Sequence, residues 1–147
     1  MNRIEFFLRA KTQYNLHSPF VFNLYREVLF ASLAKTTRNS LGITSKHQET
    51  LYKVVNHLQP QALYLTHDED KSLAQQASIR TDIDLWKGQT TRGNDMIVVA
   101  FPHRNGASEK QWNSLQQMEN ATAILDLYHT GIILFNPKLS KQLFLLR

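Results

Sequence analysis

Up to about residue 58, apolar residues recur at helical spacing; beyond it they gather in short runs separated by polar links. Ile4, Phe7, Leu8 and Lys11 share one side of a helix over residues 3–12, with Phe6 flanking them. Ser18 then precedes Pro19. A serine hydroxyl accepts from an orphan amide at a helix start, and proline suits the first helical position, where its missing N–H costs nothing. The pair predicts a second helix from Pro19 to about Leu33. Phe20, Val21, Leu24 and Val28 line one side of it and Phe22, Tyr25 and Leu29 the side next to them, a face wide enough to need two neighbours. Residues 35–46, KTTRNSLGITSK, read as a loop around Gly42. A third helix over about His47–Leu58 presents Leu51, Val54, Val55 and Leu58, and Pro60 stops it.

The period then changes. ALYLT (62–66) is a short strand, KSLAQQA (71–77) is helical, and DIDLW (82–86) is a strand of alternating polarity. DMIVVAF (95–101) is continuously apolar, as a strand covered on both faces would be. SEKQWNSLQQM (108–118) is helical, with Ser108 as its N-cap and Trp112, Leu115 and Met118 facing inward. ATAILDLY (121–128), GIILFN (131–136) and QLFLL (142–146) are closely spaced strands. His129-Thr130 beside Gly131 signals a hairpin between the first two. Helices followed by alternating strands and helices predict an α/β three-layer arrangement with a mixed sheet that ends in an antiparallel meander. The chain reads as a single domain, 1–147, with 1–45 a helical extension on a core formed by 46–147.

With 147 residues, such a domain buries roughly 68–70% of its unfolded surface and needs no staples. A hydrophobic content of 42% with 20% charged residues is that of an ordinary globular protein. The absence of cysteine excludes disulfides, thiolate metal sites and a thiol nucleophile. No stretch approaches the roughly 18 apolar residues of a membrane span, and the N-terminus lacks the apolar core of a secretory signal. The expectation is a cytoplasmic protein without membrane contact. A net charge of +5 leaves phosphates open as partners, but the basic residues are scattered, so a nucleic-acid partner is not signalled.

The order of these pieces resembles a class I S-adenosylmethionine-dependent methyltransferase, a Rossmann-like fold whose last two strands form an antiparallel hairpin. More narrowly it resembles a bacterial group with an HSPFV motif in its N-terminal helices, here His17-Ser18-Pro19-Phe20-Val21. That group closes with an IDL strand, a G-[LI]-[IV]-F-F strand and H-F-x-L-R, matched here by Ile124–Leu127, Gly131–Phe135 and Leu143–Arg147. Trp112 matches a tryptophan in the preceding helix. Residues 3–30 and 95–147 carry the likeness, and the middle does not. The family's first strand ends in an acid and a glycine-rich turn for the cofactor. Here Thr66-His67-Asp68-Glu69-Asp70 stands there, with no glycine between Gly42 and Gly88. The acid pair after the family's later strand is replaced by Pro102-His103, and Asp82 and Asp84 are weak stand-ins for the ribose acid. The resemblance implies a reduced, Rossmann-like methyltransferase relative that no longer holds S-adenosylmethionine. It would serve as a structural or interaction module through self-association or a protein partner. An active methyltransferase with an unconventional pocket is the alternative, and anion or nucleic-acid binding a weaker one.

Each candidate residue carries two readings. His17 and Ser18 are a helix start first and a substrate lid second. Thr66, His67 and Asp68 mark the degenerate cofactor turn. The acids there meet a helix N-terminus favourably, and a metal is the lesser reading because consecutive side chains diverge. His103, past the carboxyl end of a central strand, is either a general base or part of an exposed loop, with Arg104 beside it for an anion. Asp126 is structural and, if buried, needs a partner. Trp86 and Trp112 read as core anchors.

Overall fold

The computed structural model describes residues 1–10, 18–74, 78–80 and 93–147, with the backbone alone at 68, 69 and 78–80. The predicted strand at 82–86, Trp86, Asp82, Asp84 and His17 lie outside the described residues.

The chain is α/β, with a mixed, open sheet of six strands among the described residues. Helix α1 spans Arg3–Arg9 and α2 spans Pro19–Leu24, continuing as a π-helical turn over Tyr25–Leu29. Helix α3 (Lys35–Ser40) occupies part of the segment expected to be a loop, with no buried residue. Helix α4 (Lys46–Leu58) follows. The strands are β1 (Ala62–Leu65), β2 (Ser78–Arg80), β3 (Met96–Ala100), β4 (Ala123–Asp126), β5 (Thr130–Leu134) and β6 (Gln142–Leu145). A 3-10 helix over Asp68–Leu73 follows β1, and helix α5 (Gly106–Gln116) follows β3.

Strand order is β2-β1-β3-β5-β4-β6. Strands β1, β2 and β3 are mutually parallel, β5 runs antiparallel to both β3 and β4, and β6 is parallel to β4. The hairpin β4–β5 forms as the sequence predicts, but the meander does not. Strand β3 already occupies the outer edge of β5, so β6 crosses over and pairs with the free edge of β4 instead.

Alternation along the strands sends their side chains to two cores. Met96, Val98, Leu125, Ile132 and Leu134 pack with Val21, Leu24 and Tyr25 and with Leu51, Val54 and Val55 of α4. Ile97, Val99, Ile124 and Ile133 face the other way, against Trp112 and Leu115 of α5. Helices thus cover both faces in three layers, which is why β3 reads as an unbroken apolar run.

Caps set the helix ends. Ser18 Oγ accepts from the Val21 amide with Pro19 in the first turn, and Ser45 Oγ accepts from Gln48. Helix α4 stops at Gln59, which takes a left-handed conformation (φ 48°) before Pro60. Helix α5 begins earlier than expected. Its cap is Asn105, whose side chain accepts from the Ser108 amide, so Ser108 is the residue satisfied and not the cap. Helix α1 is rotated from the expected face. Phe6 is buried, while Ile4 and Leu8 are 76% and 81% exposed, because Phe6 packs on His103 and Tyr128 at the sheet edge.

Candidate functional site

Three parallel strands, β3, β4 and β6, end at the same edge, and the segments leaving them line a cavity of about 700 Å³. Phe101, His103 and Arg104 come from β3, and Leu127, Tyr128 and His129 from β4. Lys46, Glu49, Thr50 and Lys53 of α4 form one wall. Arg3, Phe6 and Phe7 of α1, with Tyr25 and Leu29 of the π turn, form another. Carboxyl edges are where open α/β sheets place ligands, and π-helical turns concentrate at functional sites.

A buried polar cluster supports the floor. Asp126 is 2% exposed and accepts three hydrogen bonds. His103 Nε2 donates to its Oδ2 at 2.7 Å, Trp112 Nε1 donates to the same oxygen at 2.9 Å, and the Tyr128 amide donates to Oδ1 at 2.9 Å. The last bond holds Tyr128 at φ 68°, the strained residue of the hairpin turn. The other nitrogen of His103, Nδ1, donates to Glu109 Oε1 at 3.0 Å. Two acceptor-only partners require both ring nitrogens to carry hydrogen. Burial alone would lower the His103 pKa, but the hydrogen bonds it donates to Asp126 and Glu109 outweigh it and raise it above the ordinary value. The Met1 ammonium and His103 hold the Glu109 carboxyl below its usual range. The imidazolium stacks on Tyr128, with ring centroids 5.2 Å apart, and with both nitrogens donating, no unshared pair on His103 faces the cavity in this state.

His129 behaves in the opposite way. Burial, with His47, Lys46 and Lys53 nearby, pushes its pKa down to about 4, and its Nε2 lies 3.2 Å from the Thr50 hydroxyl. It is therefore neutral at pH 7. Glu49 is the acidic side chain of the lining among the described residues. Burial would raise its carboxyl, but the Leu33 amide, Lys53 and Arg38 prevail and hold it low. Its oxygens accept from Leu33 N–H at 3.0 Å and Arg38 Nη2 at 2.7 Å. Burial lowers the Lys53 pKa, against the pull of Glu49, and its ammonium donates to the Leu29 and Ala31 carbonyls.

The end of β1, where the resemblance would put the cofactor, is filled instead. The Ala100 amide donates to Thr66 Oγ1 at 2.9 Å, and that hydroxyl lies 3.3 Å from His67 Nδ1. Past them, the 3-10 helix turns Asp70, Leu73 and Ala74 inward, all three buried. Asp70 Oδ2 accepts from His47 Nε2 at 2.6 Å, and Thr130 Oγ1 lies 2.9 Å from His47 Nδ1, with Phe101 packed on the same imidazole. Asp68 opens the 3-10 helix, and its side chain lies outside the described part.

Of the sequence candidates, then, His103 and Arg104 reach the cavity. Thr66 and His67 belong to the filled end of β1, and Ser18 caps α2 without lining the space. Among the described residues the helices cover the cavity through α1 and the π turn, not through Ser18–Val21. Sequence reasoning missed His47, Glu49, Tyr128 and His129. The cluster of hydrogen-bonding side chains in LYHT was the available signal. Among the described residues no group of acids and histidines could hold a metal ion, and no helix is long and apolar enough to cross a membrane. No family model, no curated protein and no solved structure matches the chain.

Proposed function

We propose that the chain is a reduced, Rossmann-like relative of class I methyltransferases that does not hold S-adenosylmethionine in the family's manner and acts as a binding or interaction module. The observation that carries this reading is the filled carboxyl end of β1. A cofactor turn must leave backbone amides open at that point, and glycine permits the close approach. In this chain a hydroxyl, an inward 3-10 helix and the Asp70–His47–Thr130 chain of hydrogen bonds occupy it. Support for the family likeness is the β4–β5 hairpin carrying the matched Ile124–Leu127 and Gly131–Phe135 segments. Ile4 and Leu8, turned outward on α1, are in keeping with an interaction role.

The alternative, an active methyltransferase with a rebuilt pocket, draws on the cavity beside His103. Isothermal titration calorimetry with S-adenosylmethionine and S-adenosylhomocysteine separates the two. No saturable heat is expected, and a micromolar dissociation constant for either compound would overturn the proposal.

A further inference from the structure

We infer that the cavity at the β3–β4 edge is a binding site for a small molecule that joins a flat ring to an oxyanion, either carboxylate or phosphate. This inference rests on the preceding one in taking the cavity to be free of S-adenosylmethionine.

Charge comes first. Among the described residues, five basic side chains besides His103 line the space, Arg3, Lys46, Lys53, Arg104 and Arg147, against one acidic side chain, Glu49. Glu49 is paired with Arg38 at 2.7 Å and faces Lys53 at 4.0 Å, so it leaves the other cations of the lining uncompensated. Two of the cations are also engaged. Lys53 is held by two carbonyls, and Arg147 donates to the Phe7 carbonyl. Arg3, Lys46 and Arg104 form no ion pair among the described residues, and Arg3 lies over the Phe7 ring at 5.5 Å. Arg104 rests over Phe101 at 4.8 Å, which orients the guanidinium without neutralising it. His129 stays neutral beside Lys46, so it adds a hydrogen-bonding nitrogen and no further charge. A cationic ligand would meet repulsion here, and an oxyanion would meet three cations without an ion pair among the described residues.

Shape comes second. The volume of about 700 Å³ falls within the roughly 300–1,000 Å³ of small-molecule sites. It is too large for a bare inorganic ion. Phe7 and Phe30 line it and remain 39% and 68% exposed, whereas Phe6 and Tyr25 are already packed into the fold. A planar ring set against Phe7 and Phe30 would cover apolar area that the protein leaves wet. The two demands, ring and anion, belong to one ligand because they line one cavity.

The test is calorimetric titration of the full chain with 2-naphthoate and adenosine 5′-monophosphate, each beside its uncharged counterpart, 2-naphthalenemethanol and adenosine. At least one anion should bind saturably and about tenfold or more tighter than its neutral counterpart, as one charge-assisted contact provides. A preference for the nucleotide identifies phosphate as the anion, and one for naphthoate identifies carboxylate. Lys46→Gln and Arg104→Gln should each weaken that binding about tenfold with an unchanged melting temperature. Lys110→Gln, on the exposed side of α5, should not. The inference is overturned if neither anion saturates, if the neutral compounds bind equally well, or if both cavity variants bind like the parent. Adding S-adenosylmethionine as competitor keeps the two proposals apart. Displacement of the anion would remove the preceding reading while leaving the anion site, whereas silence from every ligand removes this inference alone.

Discussion

Gly131 lies in β5 opposite Asp126, and the indole of Trp112 fills the space where a side chain would stand. A Cβ added there would sit 2.7 Å from Cη2 and Cζ3 of Trp112 and 3.0 Å from Cε3. Nonbonded carbons rest at about 3.5–4.0 Å, so the ring in a Gly131→Ala protein must withdraw by roughly 0.8 Å or more. It has nowhere to go without loss. Trp112 is 1% exposed, and its Nε1 donates to Asp126 at 2.9 Å. Overpacking a filled core costs about 1–3 kcal/mol, and alanine in place of strand glycine returns about 0.5–1 kcal/mol through the unfolded chain. Gly131→Ala should therefore destabilise by about 1–2 kcal/mol in urea unfolding at constant m-value. The mechanism makes a second demand. In Trp112→Phe the benzo ring atoms nearest Gly131 are absent, so Gly131→Ala in that background should be neutral or mildly stabilising. The resulting coupling is about 1–3 kcal/mol. Additive single effects, or a Gly131→Ala protein as stable as the parent, would refute the reasoning. The outcome reaches the cavity, because Asp126, which the indole touches, also holds His103 and Tyr128.

Two further predictions concern the same floor. The His129 pKa of about 4 lies below the unfolded value near 6.5, so the unfolded chain binds the proton first. Stability from this ring is present above pH 6.5 and falls by up to about 3 kcal/mol as pH drops toward 4. Urea midpoints across that window should decline less steeply in His129→Gln, and parallel curves would contradict the assignment. Asp126→Ala leaves three buried donors without their acceptor and should cost about 3–5 kcal/mol. In the folded fraction the His103 NMR titration should move to lower pH, since burial then faces Glu109 alone. An unmoved midpoint would show that Asp126 does not set the charge of His103.

Local signals carried much of the fold into the sequence. Ser18-Pro19 announced a helix start that the structure keeps, because capping depends on a few neighbouring atoms. The apolar run Met96–Ala100 announced a strand buried on both faces, because alternation is a property of the backbone. Where two local options were close in energy, the sequence was silent. Asn105 and Ser108 are both good caps three residues apart, and packing of Trp112 against the sheet decides which amide is left to satisfy. On α1, Ile4 and Leu8 outnumber Phe6 in apolar area. Yet the aromatic ring turns inward because His103 and Tyr128 wait there, brought from residues about a hundred positions away.

The sequence by itself determined the α/β class, the β4–β5 hairpin, the absence of any thiol chemistry and the absence of glycine after β1. Each is a statement about residue type or spacing. Only the tertiary structure decided that β6 joins β4, that Glu109 and Asp126 clasp His103 from both sides, and that Lys46 and Arg104 meet across one hollow. Those are relations between segments distant along the chain. They are fixed by which strand edge is vacant and which buried donor lacks an acceptor, and no local pattern of residues encodes either.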